Sequence, residues 1–287
     1  MKKNGYVLCL IFFVTVGSIN ITYAQESDSG FNPNSVYPVH ESYVMYKKTL
    51  WRRMDLREKQ NAPFYSTNWE LPAIIINAVK AGLLFPYNDD SVKTRMDKQT
   101  FQDAMKLPEA DEELSDEEKD IIRQQMIDSG ELEEGEEMPV DEEEDAGADE
   151  YDPRDFSIVE IKEDVYFDRM RSRLYYDIHS LTLILPADPD DPSTFERPLA
   201  SFKYKELVEL FRSMPKEAIW YNGQNMAQHQ NFADAFNLRL FSANLTKFAN
   251  TKDESIVEIY QSRKKGLYAS QKIEHEMLEF ENELWEF

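Results

Sequence analysis

Residues 173–185, RLYYDIHSLTLIL, decide the fold class. The run is rich in β-branched and aromatic residues and is long enough for a central strand, stopped by Pro186. After it, ADPDDPSTFERP (187–198) is turn-rich, and LASFKY (199–204) reads as the returning strand of a wide hairpin. KELVELF (205–211) continues as a helix. Beyond the loop PKEAIWYNGQNMAQ, Phe232, Ala235, Phe236 and Leu240 recur at helical intervals. Ile273, Met277, Phe280 and Leu284 follow i, i+4, i+7, i+11, the buried stripe of a terminal helix with Glu274, Glu276 and Glu279 on its other faces. Strands and helices mix here without a βαβ rhythm, which predicts an α+β module over 156–287.

Upstream, 37–107 reads as a second mixed module. Asn68 is the expected cap of a helix with Pro72 in its first turn and Leu71, Ile74, Ile75, Ala78 and Val79 as its apolar stripe. Gly82 fits the residue after the last turn. Asp97 starts another short helix carrying Phe101, Ala104 and Met105. LLFPYNDDSVKTR between them resembles two short strands about a turn at Asn88-Asp89. QESDSGFNPNSV (25–36) reads as a flexible leader.

The formal charge is -23, but residues 109–152 hold 22 Asp and Glu against Lys119 and Arg123. The rest of the chain is close to balanced. Residues 108–155 therefore read as an acidic, disordered linker joining two modules: its apolar surface is too small to offset about 1–2 kcal/mol of backbone ordering entropy per residue. Ser115 with Glu118 offers one capping box inside it. The segment lacks the Asp-x-Asp-x-Asp-Gly loop of a calcium site.

At the N-terminus, MKKNGYVLCLIFFVTVGSINITYAQ places Lys2 and Lys3 before an apolar run from Tyr6 to Ile21 and a small residue, Ala24. Residues 1–24 read as a cleavable signal peptide, so the product is expected to be exported. Cys9, the one cysteine, lies within it. The mature chain then has no disulfide framework and no cysteine nucleophile.

The sequence offers little to catalysis. His40, His179, His229 and His275 are not paired at metal-binding spacing. His275-Glu-Met-Leu-Glu279 opens like a zinc-protease helix but lacks the second histidine one turn on. Neither a Gly-x-Ser-x-Gly elbow nor a glycine-rich phosphate loop occurs. No catalytic residue, cofactor or metal is assigned.

Against this acidic background Lys47, Lys48, Arg52, Arg53, Arg57 and Lys59 cluster, opposed by Asp55 and Glu58. A nucleic-acid role is disfavoured, since no recognition motif accompanies the cluster and the tethered acidic segment would compete with phosphate. Arginines interleaved with Trp51, Leu56, Phe64 and Tyr65 give the mixture enriched in protein interfaces. The same pattern also suits Trp51 and Leu56 in a core, with Arg52, Arg53 and Arg57 pairing to nearby carboxylates.

VYPVHESYVMYKKTLWRRMDLREKQNAPFY followed by INAVKAGLLFPYNDD, together with the ending IEHEMLEFENELWEF, resembles the GldN/PorN family. The motifs are Trp51-Arg52-x-x-Asp55-Leu56-Arg57-Glu58-Lys59-x-Asn61-x-Pro63 and Phe280-Glu281-x-x-Leu284-Trp285-Glu286. RLYYDIHSLTLILP and NFADAFNLRLFSANL sit where that family has its long strand and an arginine-phenylalanine helix. The longer acidic segment and His179 depart from its pattern. The resemblance implies a periplasmic, non-enzymatic component of the type IX secretion and gliding machinery of Bacteroidetes. It also implies rings formed with a GldK/PorK-like lipoprotein at the outer membrane and contact with the periplasmic part of a GldM/PorM-like motor subunit. Partner contacts are expected at Trp51, Arg52, Arg53, Asp55, Arg57, Lys59, Phe280 and Trp285. The competing readings are a periplasmic glycan- or cell-wall-acting hydrolase and a sugar-binding module.

Overall fold

The computed structural model describes residues 30–107, 150–187 and 195–285, and of Trp285 the backbone alone. The expected signal peptide, most of the acidic linker with its Ser115–Glu118 box and calcium question, and the tip of the wide hairpin lie outside the described residues.

The fold is α+β, as the sequence predicts, and is built on one five-stranded sheet. Its strands are β1 (Val44–Asp55), β4 (Ile158–Asp168), β5 (Arg173–Leu185), β6 (Arg197–Lys203) and β9 (Asn244–Phe248), in the order β6-β5-β4-β1-β9. Every pairing is antiparallel. The predicted central strand is β5, and it ends before Pro186 as read. The turn from β4 to β5 is held by buried Asp168, whose Oδ1 accepts from Met170 N at 2.8 Å and whose Oδ2 accepts from Arg171 Nη1 at 2.9 Å. Two short two-stranded ribbons complete the strands: β2 (Tyr65–Ser66) with β3 (Trp69–Glu70), and β7 (Ile219–Trp220) with β8 (Gln230–Asn231).

The segments on either side of the acidic stretch share this sheet. β1 comes from the N-terminal segment, yet it lies between β4 and β9 of the C-terminal one. Lys106 and Glu150 form an antiparallel bridge, and Tyr151 N donates to Met105 O at 2.9 Å. The described residues that flank 108–149 therefore meet at one place. The leader is placed from residue 30 onward: Phe31 bridges His40, and Ser35 is buried.

Helices α1 (Leu71–Lys80), α2 (Lys98–Met105), α3 (Tyr204–Ser213) and α4 (Phe232–Asn237) belong to the larger core. Helix α1 buries its predicted stripe. Its cap is Glu70 rather than Asn68, which instead takes a left-handed conformation (φ 72°) in the turn from β2 to β3. Asparagine tolerates that conformation better than most residues, so the turn uses it. Gly82 ends the helix as read: at φ 74° it donates to Val79 O, and Leu83 N donates to Ala78 O, the paired bonds of a Schellman turn. Asp97 caps α2 as expected.

Three local readings are corrected. Residues 83–95 form a loop touching the sheet through Tyr87, which bridges Ser201 and Arg95, and not two strands. The helix bearing Phe232, Ala235 and Phe236 stops at Asn237, before Leu240, because Arg239 turns left-handed (φ 54°). The terminal stripe is buried at Met277 only, with Ile273, Phe280 and Leu284 half-buried.

All these core side chains rise from one face of the sheet. At one end Met54, Val159, Ile161, Leu181, Leu183 and Phe202 pack against α1, α3 and α4. At the other end Leu50, Val165, Phe167, Leu174 and Leu245 meet α5 (Ile256–Tyr260) and α6 (Arg263–Trp285). Among the described residues no helix is long and apolar enough to cross a membrane.

Candidate functional site

The basic stretch is mostly strand β1, and alternation sends its residues to opposite faces. Leu50, Arg52 and Met54 point to the apolar face. Leu50 belongs to the smaller core and Met54 to the larger, so Arg52 stands at the seam between them. On β4, Glu163 occupies the same seam between Ile161 and Val165.

Arg52 Nε donates to Glu163 Oε1 at 2.6 Å, and its Nη1 donates to Glu274 on α6. Arg239 Nη1 donates to the other Glu163 oxygen at 2.6 Å while its guanidinium lies 4.2 Å from the centre of the Tyr176 ring. Two guanidiniums thus face two carboxylates around a fully buried Glu163. Burial opposes the charge on Arg52, but Glu163 and Glu274 outweigh it and hold the guanidinium above its ordinary pKa. Glu274, expected on an outer face of the terminal helix, is turned inward by this pairing.

Trp51, Arg53 and Asp55 point to the opposite, polar face. Trp51 is buried, its Nε1 donates to Asp90 Oδ2 at 2.6 Å, and Lys162 and Lys247 lie 5.1 and 4.7 Å from its ring centre. Half-exposed Arg53 forks onto Glu196 with two bonds of 2.6 Å. Asp55 closes the strand by accepting from Arg57 N at 2.8 Å. Arg57 and Lys59 follow in an exposed turn. Phe280 of α6 lies against Tyr46, ring centres 4.9 Å apart. Trp285 ends α6, with its side chain outside the described residues. The structure therefore gathers Arg52 and the α6 segment at one seam, places Trp51 and Arg53 behind it, and leaves Arg57 and Lys59 in solvent.

A second charged cluster lies on the polar face. Asp164 accepts from Thr49 Oγ1 at 2.6 Å, pairs with Lys47 at 2.8 Å, and has His179 Nε2 at 2.6 Å. Burial would raise its pKa, but the bonds with His179, Lys47 and Thr49 hold the carboxyl well below the usual carboxylate range. His179 is the extra residue where the β4–β5 register shifts, since Lys162 pairs with Ser180 but Glu163 with Ile178. His179 therefore sits in a β-bulge, which aims the ring at Asp164. Nearby Asp177 is buried, and that burial raises its pKa. A cavity of about 260 Å³ opens between the leader and this face, lined in part by Ser35, Lys47, Asp164, Tyr166 and Asp177. These groups hold charge in fixed positions.

Sequence reasoning did not single out Glu163, Arg239, Asp164, Asp90 or Asp177. One signal was available: Glu163 occupies an apolar register position in Ile161-x-Glu163-x-Val165, where only a paired charge is stable. His275, read as a helix-surface residue among glutamates, lies exposed with Nε2 3.2 Å from Glu279.

A family model described as gliding motility associated protein GldN matches residues 39–286. Comparison with curated proteins returns no match. The matched span takes in the Arg52–Glu163–Glu274 seam, the His179 bulge and the whole of the five-stranded sheet. On that coverage, the chain belongs to the GldN family.

Proposed function

We propose that this chain is a non-enzymatic structural subunit of the type IX secretion and gliding machinery. In this reading it is exported to the periplasm and held at the outer membrane through a GldK/PorK-like lipoprotein, with which it forms a ring. It also contacts the periplasmic part of a GldM/PorM-like motor subunit. Family membership across residues 39–286 carries the secretion and gliding role.

The arrangement of the basic stretch supports a docking function at its far end. Trp51 and Arg52 are committed to the interior, and Arg53 to Glu196. Arg57 and Lys59, in the turn just beyond β1, are exposed cations on a surface fixed by the sheet. Such residues suit a charged contact that steers assembly. The test is co-purification of the mature chain with its lipoprotein partner, scored by the size of the assemblies formed. Arg57→Glu with Lys59→Glu is expected to leave the chain folded and to abolish large assemblies. Assemblies of unchanged size and yield would remove the docking role from this turn. Failure of the unaltered chain to associate with the lipoprotein at all would remove the ring reading itself.

A further inference from the structure

Helix α6 carries its charges against its own dipole. A helix favours acidic residues in its first turn and basic ones in its last, by about 0.3–1 kcal/mol each. Here the first turn holds Arg263, Lys264 and Lys265, and the second half holds Glu276, Glu279, Glu281 and Glu283. Neither end gains local stability from this order.

The buried side of α6, marked by Gly266, Ala269 and Met277, faces the sheet and α5. A Cβ on Gly266 would lie 3.2 Å from Val257 Cγ2, so α5 and α6 are tightly packed there. The opposite side is a solvent stripe running from Lys264 and Lys265 through Leu267, Tyr268, Lys272, His275 and Leu278 to Glu279 and Glu283. Leu267, Tyr268 and Leu278 are 49%, 62% and 52% exposed. Three large apolar side chains thus stand in solvent on an otherwise charged stripe.

The stripe is complementary to itself when reversed. An antiparallel copy centred between Lys272 and Ile273 sets Leu267 opposite Leu278. It also brings Lys264 and Lys265 alongside Glu279 and Glu283. The charge order that the dipole disfavours is the order such a pairing requires. We propose that α6 is an isologous interface, packing antiparallel against α6 of a second copy of this chain. At 23 residues the helix is about 34 Å long, enough for several layers of side chains. A two-fold contact closes on itself and does not propagate, so this pairing is separate from any ring-forming contact.

The experiment is sedimentation of the chain from Gln25 to Phe287, without other proteins, over a range of concentrations. Expected is a reversible dimer. Lys264→Glu with Lys265→Glu should weaken it about tenfold or more, as should Glu279→Lys with Glu283→Lys, through like-charge repulsion. Mixing the two double variants should give a heterodimer, and all four changes in one chain should restore the homodimer. A monomer at every concentration overturns the proposal, as does a dimer indifferent to both charge reversals or a mixture that fails to pair. Assembly with the lipoprotein, scored on the same variants, tests the ring reading independently.

Discussion

Arg52 and Glu163, 111 positions apart in sequence, join at 2.6 Å where the two apolar cores of the sheet meet. The bond ties β1 to β4, and through Glu274 and Arg239 it draws in α6 and the loop after α4. Removing one partner from a buried ionic cluster strands the others. Arg52→Met is expected to lower unfolding free energy by about 3–5 kcal/mol, read as a shift in urea midpoint with unchanged slope.

Asp164 and Asp177 respond to pH with opposite signs. The folded-state pKa of Asp164 is depressed, so its stabilisation is present above the unfolded value of about 4 and is lost as the pH falls below it. Asp164→Asn should cost on the order of 2 kcal/mol at pH 7 and progressively less in acid, because protonation of Asp164 then takes from the unaltered protein the same bonds to an ionised carboxylate that the substitution removes. The folded-state pKa of Asp177 is raised by burial, so its ionised form opposes folding and protonation relieves it. Asp177→Asn should stabilise the protein at pH 7, with the difference closing towards pH 4. Urea midpoints measured from pH 3 to pH 8 check both.

Two glycines make contrasting predictions. A Cβ on Gly82 would meet open space, with Lys98 Nζ 4.0 Å away, but the φ of 74° strains any residue that carries one. Gly82→Ala is expected to cost about 1–2 kcal/mol. Gly223 has neither a positive φ nor any atom within 4 Å of where a Cβ would lie. Gly223→Ala should be neutral or stabilising by about 0.4–1 kcal/mol. Thermal melts of the two variants side by side decide it.

Since Lys106 and Glu150 are bridged, residues 108–149 can be exchanged for a four-residue turn without separating any strands. Closing 42 residues instead of four costs roughly 2 kcal/mol more entropy. The shortened chain should keep its circular dichroism spectrum and melt at a higher temperature.

The seam was hidden from the sequence for a definite reason. Glu163 is marked in the sequence only by its apolar register position, while Arg239 and Glu274 look like ordinary charged residues at theirs, and contacts spanning 76 to 222 positions give them meaning. The long strand, the Pro186 stop and the Gly82 turn were legible because the forces behind them act within a few residues. Asn68 and the 83–95 loop were misread where two local solutions were equally good and tertiary contacts chose between them.

By itself the sequence determined the α+β class, strands β5 and β6, helices α1, α2, α3 and α6, the acidic block and the family motifs, since periodicity, turn chemistry and motif spacing are local. Tertiary structure alone decided that β1 enters the sheet between β4 and β9, that Arg52 lies inside while Arg57 stays out, and that the ends of the acidic segment meet. Those outcomes depend on which distant surfaces exclude water together, and no short window of residues contains that choice.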